Sequence, residues 1–403
     1  MPGPRVGIPM FEPSDLPDDV HAAGGEPVPL LLPPAGPLSG VALAREWTAD
    51  TIGFSCAAEN LDALLLTAES PEGLFGMLLA AIRLDIPAVC LPPPGTPLAA
   101  AVTALGIAPT SGDPSGAVVG VGANGGPRPG DLVENFSLAN ALRAGVAAGG
   151  GPEVLVHLAA VAREARVQGF SQMARVLAPE TPAANPGWTK NNGVRALLAS
   201  QGDDLHDIRT VDGHLRRNLP SAASTPPEHH RLVLAQARVS GAEAVCRFPA
   251  DSAEPAGECR VYGSEDAAVR AVRSGAASDG AVLVVNGCGP RGSGLRRLEA
   301  LNAALREMGL RTPVVTDGLP PEDARGTWAS LFAPEAFSGG VIGRLRDGDP
   351  LRLDLQGGRI RAGIRAGELE AREPFKPPGR TGFGYAARHA RSALPALEGA
   401  GFG

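Results

Sequence analysis

The chain has 403 residues, more than one hydrophobic core ordinarily organises, so two or three domains are expected. With 44% hydrophobic and 20% charged residues it has the material for packed cores, which excludes a disordered chain; aromatics at 4% leave Ala, Leu and Val to do the packing. A formal net charge of -7 removes any electrostatic case for nucleic acid or anionic membranes, and Arg216-Arg217 and Arg296-Arg297 are too short for basic tracts and read as solvated helix faces.

The chain opens with neither a charged segment followed by a long apolar one nor, anywhere, a run of about 18 uncharged apolar residues. A cytoplasmic protein with no membrane span is expected. Residues 1–40 are Pro-rich and weakly periodic, so they are expected to be irregular; proline on both sides leaves the run 27–32 at most an edge strand. From Val41 the pattern sharpens. Residues 61–66 read as a buried strand, 73–84 as a helix and 86–91 as the next strand, a βαβ unit. Residues 106–130 read as a Gly- and Pro-rich loop around the apolar run 117–121, unusually long for a loop without a role.

Helical patterns follow at 134–147 and 153–167, separated by Gly149-Gly150-Gly151-Pro152. Pro152 and Glu153 suit a helix start, since proline tolerates the first turn and glutamate opposes the dipole. Glu153 and His157 are four apart on one helix face, which invites a metal-ligand reading; with no third ligand in the sequence, His157 is expected to be a packed helix residue. Residues 221–230 are Pro- and Ser-rich and read as a linker, with His229-His230 as solvated loop histidines. The expected division is an irregular segment 1–40, a domain 41–220, the linker 221–230 and a domain 231–403.

Past the linker, short alternating runs at 232–235, 258–262, 340–345 and 351–355 read as strands of a barrel-like domain. Within it, strand-like runs at 281–285 and 312–316 flank a Gly-rich turn, 286–294, and an amphipathic helix, 295–308. This second βαβ unit is where a pocket is expected, because loops at the carboxyl ends of parallel strands are where α/β proteins place ligands. Five cysteines, Cys56, Cys90, Cys246, Cys259 and Cys288, are scattered with no C-x-x-C pair. That argues against a disulfide framework or a local zinc site, and each reads first as a small buried apolar residue; spacing alone leaves open convergence on an iron–sulfur cluster.

Several motifs occur in a familiar order. Gly289-Pro290-Arg291-Gly292, Thr316-Asp317-Gly318, Arg325-Gly326, Ala333-Pro334-Glu335-Ala336, Gly339-Gly340 and Asp347-Gly348-Asp349 resemble the C-terminal half of the dihydroxy-acid dehydratase and phosphogluconate dehydratase family. Ala49-Asp50-Thr51, residues 62–66, residues 76–87, and Gly149-Gly150 followed by 155–165 resemble its N-terminal domain. The resemblance implies an α/β protein: an N-terminal three-layer αβα domain with a mostly parallel sheet, then a C-terminal barrel-like β domain carrying a βαβ unit. It also implies a homodimer, and a reaction that eliminates water from a hydroxy-acid. In that reaction an iron–sulfur cluster acts as Lewis acid on the leaving hydroxyl, magnesium holds the carboxylate and enolate, and a serine alkoxide removes the alpha proton.

This chain departs from the pattern at the chemistry. The family's Cys-Asp-Lys run falls on Ser70-Pro71-Glu72, and the segment with a second cluster cysteine and an activated lysine is shortened, leaving neither Cys nor Lys between Cys90 and Lys190. Gly151-Pro152-Glu153 replaces a Ser-Thr-Asn helix start, Pro321 stands at the serine, and the magnesium-binding glutamate falls on Leu298, with Glu299 one residue off. No metal ligand set and no cofactor are therefore expected. The candidate catalytic residues are Asp317 and Glu322, with Arg291, Thr316, Arg325 and Glu335 binding substrate; Thr-Asp-Gly also suits a plain turn and Pro-Glu a helix start. Two functions follow: a cluster-free lyase or isomerase acting on a small hydroxy- or keto-acid, or a catalytically silent homologue serving as structural or regulatory partner or small-molecule binder. The expected partner is a small-molecule acid, with no nucleic acid and no membrane.

Overall fold

The computed structural model describes residues 3–33, 35, 40–221, 224–237, 241–277, 280–375 and 384–403; positions 222–223 of the expected linker lie outside the described residues. Residues 5–31 correct the expectation of an irregular segment 1–40, because they build the first crossover of a parallel sheet. Strand β1 (Arg5–Met10) buries Val6, Ile8 and Met10 and pairs residue for residue with β2 (Glu26–Leu31). Strands β3 (Ala63–Leu66) and β4 (Ala88–Cys90) complete the order β2-β1-β3-β4, all parallel. Proline is accommodated by position: Pro27 and Pro29 lie in the edge strand β2, and β1 pairs with β3 only at Val6 and Gly7, so Pro9 needs no second partner.

The strand order fixes where the helices go. The crossover from β1 to β2 runs one way along the sheet and the crossovers from β2 to β3 and β3 to β4 the other, so right-handed connections put their helices on opposite faces. Accordingly the Leu16–Ala22 helix packs with the Pro114–Asn124 helix, and Val41–Cys56 packs with Pro71–Leu84, giving three layers. The Pro114–Asn124 helix corrects the expected 106–130 loop. Asp113 caps it by accepting the Ser115 and Gly116 amides at 3.0 and 2.9 Å, and Pro114 occupies the first turn.

The second half is a closed eight-stranded barrel: β5 (Glu228–Ala237), β6 (Glu243–Pro249), β7 (Ala256–Tyr262), β8 (Ala281–Val285), β9 (Val314–Thr316), β10 (Trp328–Ala333), β11 (Pro350–Asp354) and β12 (Arg359–Ala362). Its order is β12-β11-β7-β8-β9-β10-β6-β5, and β5 closes on β12 through Gln236 and Ala237. Strands β7 to β10 run parallel, and the β8–β9 register, Leu283↔Val314 to Val285↔Thr316, is the expected βαβ unit. Its helix is shorter than the 295–308 read from periodicity. Glu299–Glu307 starts where the Glu265 carboxylate accepts the Ala300 and Leu301 amides at 2.8 and 3.1 Å, a cap supplied by another element.

Two more readings are corrected. Residues 340–345 are a 3-10 turn, Val341–Arg344, held as Gly340 donates back to the Glu335 carbonyl. His230 lies in β5 at 1% exposure, not in a solvated loop, whereas His229 is exposed. No helix among the described residues is long and apolar enough to cross a membrane.

Candidate functional site

The Gly-rich loop after β8 and the Thr316-Asp317-Gly318 turn after β9 meet as expected, and four of the six candidate residues converge there. Each is spent on backbone. Asp317, 0% exposed, accepts the amides of Gly287, Cys288 and Ala336 at 3.1, 2.8 and 3.1 Å. Burial pushes its carboxyl up and the three amides pull it back only in part. Glu335 accepts the Arg291 and Gly292 amides at 2.9 and 3.4 Å, and burial together with nearby Asp317 raises it to about 7. Thr316 donates to the Val285 carbonyl and accepts from Gly318, while the Arg291 Nε donates to the Ala393 carbonyl at 3.1 Å. Gly289 has to be glycine, since a Cβ there would meet the Glu335 carboxylate at 2.2 Å. The remaining two lie apart: Arg325 is exposed, and Glu322 is exposed on the loop between β9 and β10.

Glu322 borders a cavity of about 140 Å³ between the two halves, whose walls include Pro71, Phe75, Glu153, His157 and Pro321. The helices that begin at Pro71, Pro97 and Pro152 all start at this cavity. Behind it lies an ion-pair cluster. Arg297 donates from Nε to Glu153 Oε2 and from Nη2 to Glu153 Oε1, both at 2.6 Å, and from Nη2 to Glu72 Oε2 at 2.6 Å. The Arg297 pairing overturns the reading of this residue as a solvated helix face; its side chain is 23% exposed.

Glu153 and His157 do share a helix face, with Nε2 3.2 Å from Oε1, and the third member of the group is a guanidinium. The His157 ring stacks on Phe75 at 4.5 Å between centroids and 4° between planes. Its Nδ1 is buried with no hydrogen-bond partner. Burial pulls His157 down against the raising effect of Glu153, so the ring is neutral, and the Glu153 contact assigns the proton to Nε2. Glu153 is held down to about 2: burial opposes ionisation, and the Arg297 and His157 hydrogen bonds overcome it. The carboxyl of Glu322, whose residue is exposed but whose acid group is partly desolvated against the cavity, is raised by that desolvation and then by repulsion from Glu153, with Arg247 and Arg297 pulling the other way.

A family model described as Dihydroxy-acid/6-phosphogluconate dehydratase C-terminal matches residues 231–400. The dihydroxy-acid dehydratase of Trichlorobacter lovleyi is 30% identical over 82% of this chain and 65% of its own length. That of Archaeoglobus fulgidus is 26% identical over 95% of this chain and 89% of its own length. Residues 231–400 carry the C-terminal domain of the dihydroxy-acid/6-phosphogluconate dehydratase family, and the likeness to dihydroxy-acid dehydratases extends over 82% of the chain. The chain spans 65% of the Trichlorobacter lovleyi protein and 54% of dihydroxy-acid dehydratase 2 of Bordetella bronchiseptica, to which it is 32% identical.

In this chain the donors at the cavity do not fit an iron–sulfur cluster, which needs thiolates. None of the residues lining the cavity is a cysteine. The five thiols are buried on separate elements, and burial pushes Cys56 up to about 11, Cys90, Cys246 and Cys259 to about 12, and Cys288 up as well. Nor do the carboxylates suit a divalent cation, because Glu72 and Glu153 already share Arg297. Among the described residues no group of three or more His, Cys, Asp or Glu is placed to hold a metal. Ser70, at the position matched to a cluster cysteine, accepts the Gly73 amide at 3.1 Å as a helix cap, and Glu299 is exposed at its helix start. Sequence reasoning read Arg297 as part of a solvated helix face and gave His157 a packing role; the readable signal was the Glu153-His157 spacing.

Proposed function

We propose that this chain is a catalytically silent member of the dehydratase family that has given up the metal-dependent centre and binds a small molecule in the interdomain cavity. One observation carries the reading. Pro71, Glu153 and Pro321, three positions where the family resemblance puts metal-site, helix-start and base side chains, line a single cavity, with Glu72 paired to Arg297 behind it. Proline offers no acid, base or ligand, and Glu72 and Glu153 are already paired with a cation from the chain itself, Arg297. Eliminating water from a hydroxy-acid requires stabilising a poor leaving group and an enolate, and none of the side chains lining this cavity is a cation that could supply either. Function rests on this site and not on the fold, which hosts whatever its cavity permits.

The test offers the purified protein ferrous iron, sulfide and magnesium under anaerobic conditions, then dihydroxy acids and aldonic acids, trapping any keto-acid product. The expected result is no stoichiometric iron–sulfur absorption and no keto-acid above a protein-free blank. A stoichiometric chromophore or keto-acid formation would overturn the reading. A second reading, a cluster-free lyase or isomerase on a small hydroxy- or keto-acid, is favoured by one feature. His157, neutral and oriented by Glu153, has the arrangement of a general base. Keto-acid formation that survives exhaustive chelation and is abolished in His157→Phe, which keeps the stack on Phe75, would establish it.

A further inference from the structure

Among the side chains that line it, the cavity offers hydrogen-bond acceptors and no spare donor. Of the polar side chains that line it, Thr96 is used as a helix cap, donating to the Pro93 carbonyl at 2.9 Å and accepting the Ala99 amide at 3.0 Å. Glu153 is used by Arg297 and His157. That leaves the Glu69 and Glu322 carboxylates and the partnerless Nδ1 of His157, which accepts because Nε2 carries the proton toward Glu153. A buried acceptor without a partner costs free energy that a ligand donor recovers.

The charges divide by depth. Toward the interior, Glu72 and Glu153 face one full positive charge on Arg297 and the starts of the three helices at Pro71, Pro97 and Pro152, each equivalent to about half a unit of positive charge, so the interior is close to balanced. Glu69 and Glu322 belong to different halves of the chain, both are exposed, and neither has an ion pair among the described residues. They are the least compensated charges at the cavity, since Arg247 and Arg297 attract Glu322 only at a distance, without an ion pair. The rest of the wall is apolar, with Phe75, Pro71, Leu98 and Pro321 prominent. A volume of about 140 Å³ is close to that of a cavity that takes a single benzene-sized guest, so a body of about six heavy atoms fits.

We infer that the cavity recognises a small primary amine in its ammonium form, the apolar body against Phe75 and the prolines and the ammonium between Glu69 and Glu322. The inference rests on the proposed binding role and names its ligand class. It also reverses the sign of the ligand expected from the sequence, since a carboxylate placed between the same two glutamates meets like charge.

Binding of n-butylammonium and of butyrate, equal in length and opposite in charge, is measured on the full chain at neutral pH and moderate salt by calorimetry. Assigned NMR resonances of Phe75 and His157 report whether the ligand sits in the cavity. Butylammonium is expected to bind roughly tenfold more tightly than butyrate, and Glu322→Gln and Glu69→Gln each to weaken it about threefold, with the double substitution abolishing the preference. Both glutamates are exposed, so neither change threatens the fold. Butyrate binding as tightly as butylammonium, or both glutamine variants binding like the wild type, would overturn the charge assignment while leaving a binding cavity in place. Failure of both compounds to bind, or binding that moves neither Phe75 nor His157, would remove the binding role itself and this inference with it.

Discussion

Two polar clusters in this molecule use the same residue types to different ends. In the barrel, Asp317 and Glu335 are buried at 0% and 7% exposure and accept backbone amides of the loops around them. At the junction of the halves, Glu72 and Glu153 meet a guanidinium from the other half and border open space. A carboxylate that accepts three amides has fixed a loop and has little capacity left for a ligand. A carboxylate paired side chain to side chain at the edge of a cavity keeps its surroundings accessible. The carboxyl ends of parallel strands are the usual address for a site, and here that address is filled by the chain itself.

The difference is testable at Asp317 first. Asp317→Ala removes the acceptor of three buried amides, each costly to leave unmet, and is expected to destabilise the chain by on the order of 4 kcal/mol in urea unfolding, with Asp317→Asn costing about half. An Asp317→Ala protein of unchanged stability that no longer bound butylammonium would move the functional centre back to the barrel loops.

The two clusters also respond to pH with opposite signs. Glu335 rises from 4.5 to about 7 on folding, so below 4.5 it is protonated folded and unfolded alike, and between 4.5 and 7 only the folded chain holds the proton. Stability therefore falls as pH rises through that window, by up to about 3 kcal/mol, and levels off above it. Glu153 falls from 4.5 to about 2, so its contribution is complete above 4.5 and is lost as pH drops toward 2. Urea midpoints followed across this range should lose the upper slope in Glu335→Gln and keep the lower one. Arg297→Met should do the reverse, and at neutral pH it costs about 2 kcal/mol, since it strands two carboxylates that are 19% and 20% exposed. Arg297→Lys, which cannot hold Glu153 with two parallel bonds, falls between. Equal slopes in both variants would erase the contrast between the clusters.

What the sequence disclosed tracks how local the cause was. The two βαβ units at 61–91 and 281–316 were legible because uninterrupted apolar runs and an amphipathic helix lie side by side. Asp113-Pro114 was a readable helix start, masked by Gly116, Gly120 and Gly122 in the helix that follows. Strand β1 was hidden by Pro9, tolerable because the pairing with β3 ends at Gly7. The cavity was half legible. Glu153 and His157 announce a shared face by their spacing, whereas Arg297 reaches Glu153 and Glu72 across 144 and 225 residues of sequence, and no local pattern carries such a contact.

The smallest effect probes whether the cavity wall depends on Ser70, the residue that the sequence resemblance sets at a lost ligand position. Ser70 caps the Pro71–Leu84 helix, and Phe75, one turn in, forms the surface against which His157 stacks. Ser70→Ala should cost about 1 kcal/mol, and Ser70→Asp, which caps equally well and suits the helix dipole, should cost little. Because fraying of that first turn displaces Pro71 and Phe75, the alanine variant should also bind butylammonium slightly more weakly, and the aspartate variant should not. If Ser70→Cys instead matched the wild type in stability and bound iron, the serine would be a recent replacement in an intact ligand position, and the cap would be incidental to it.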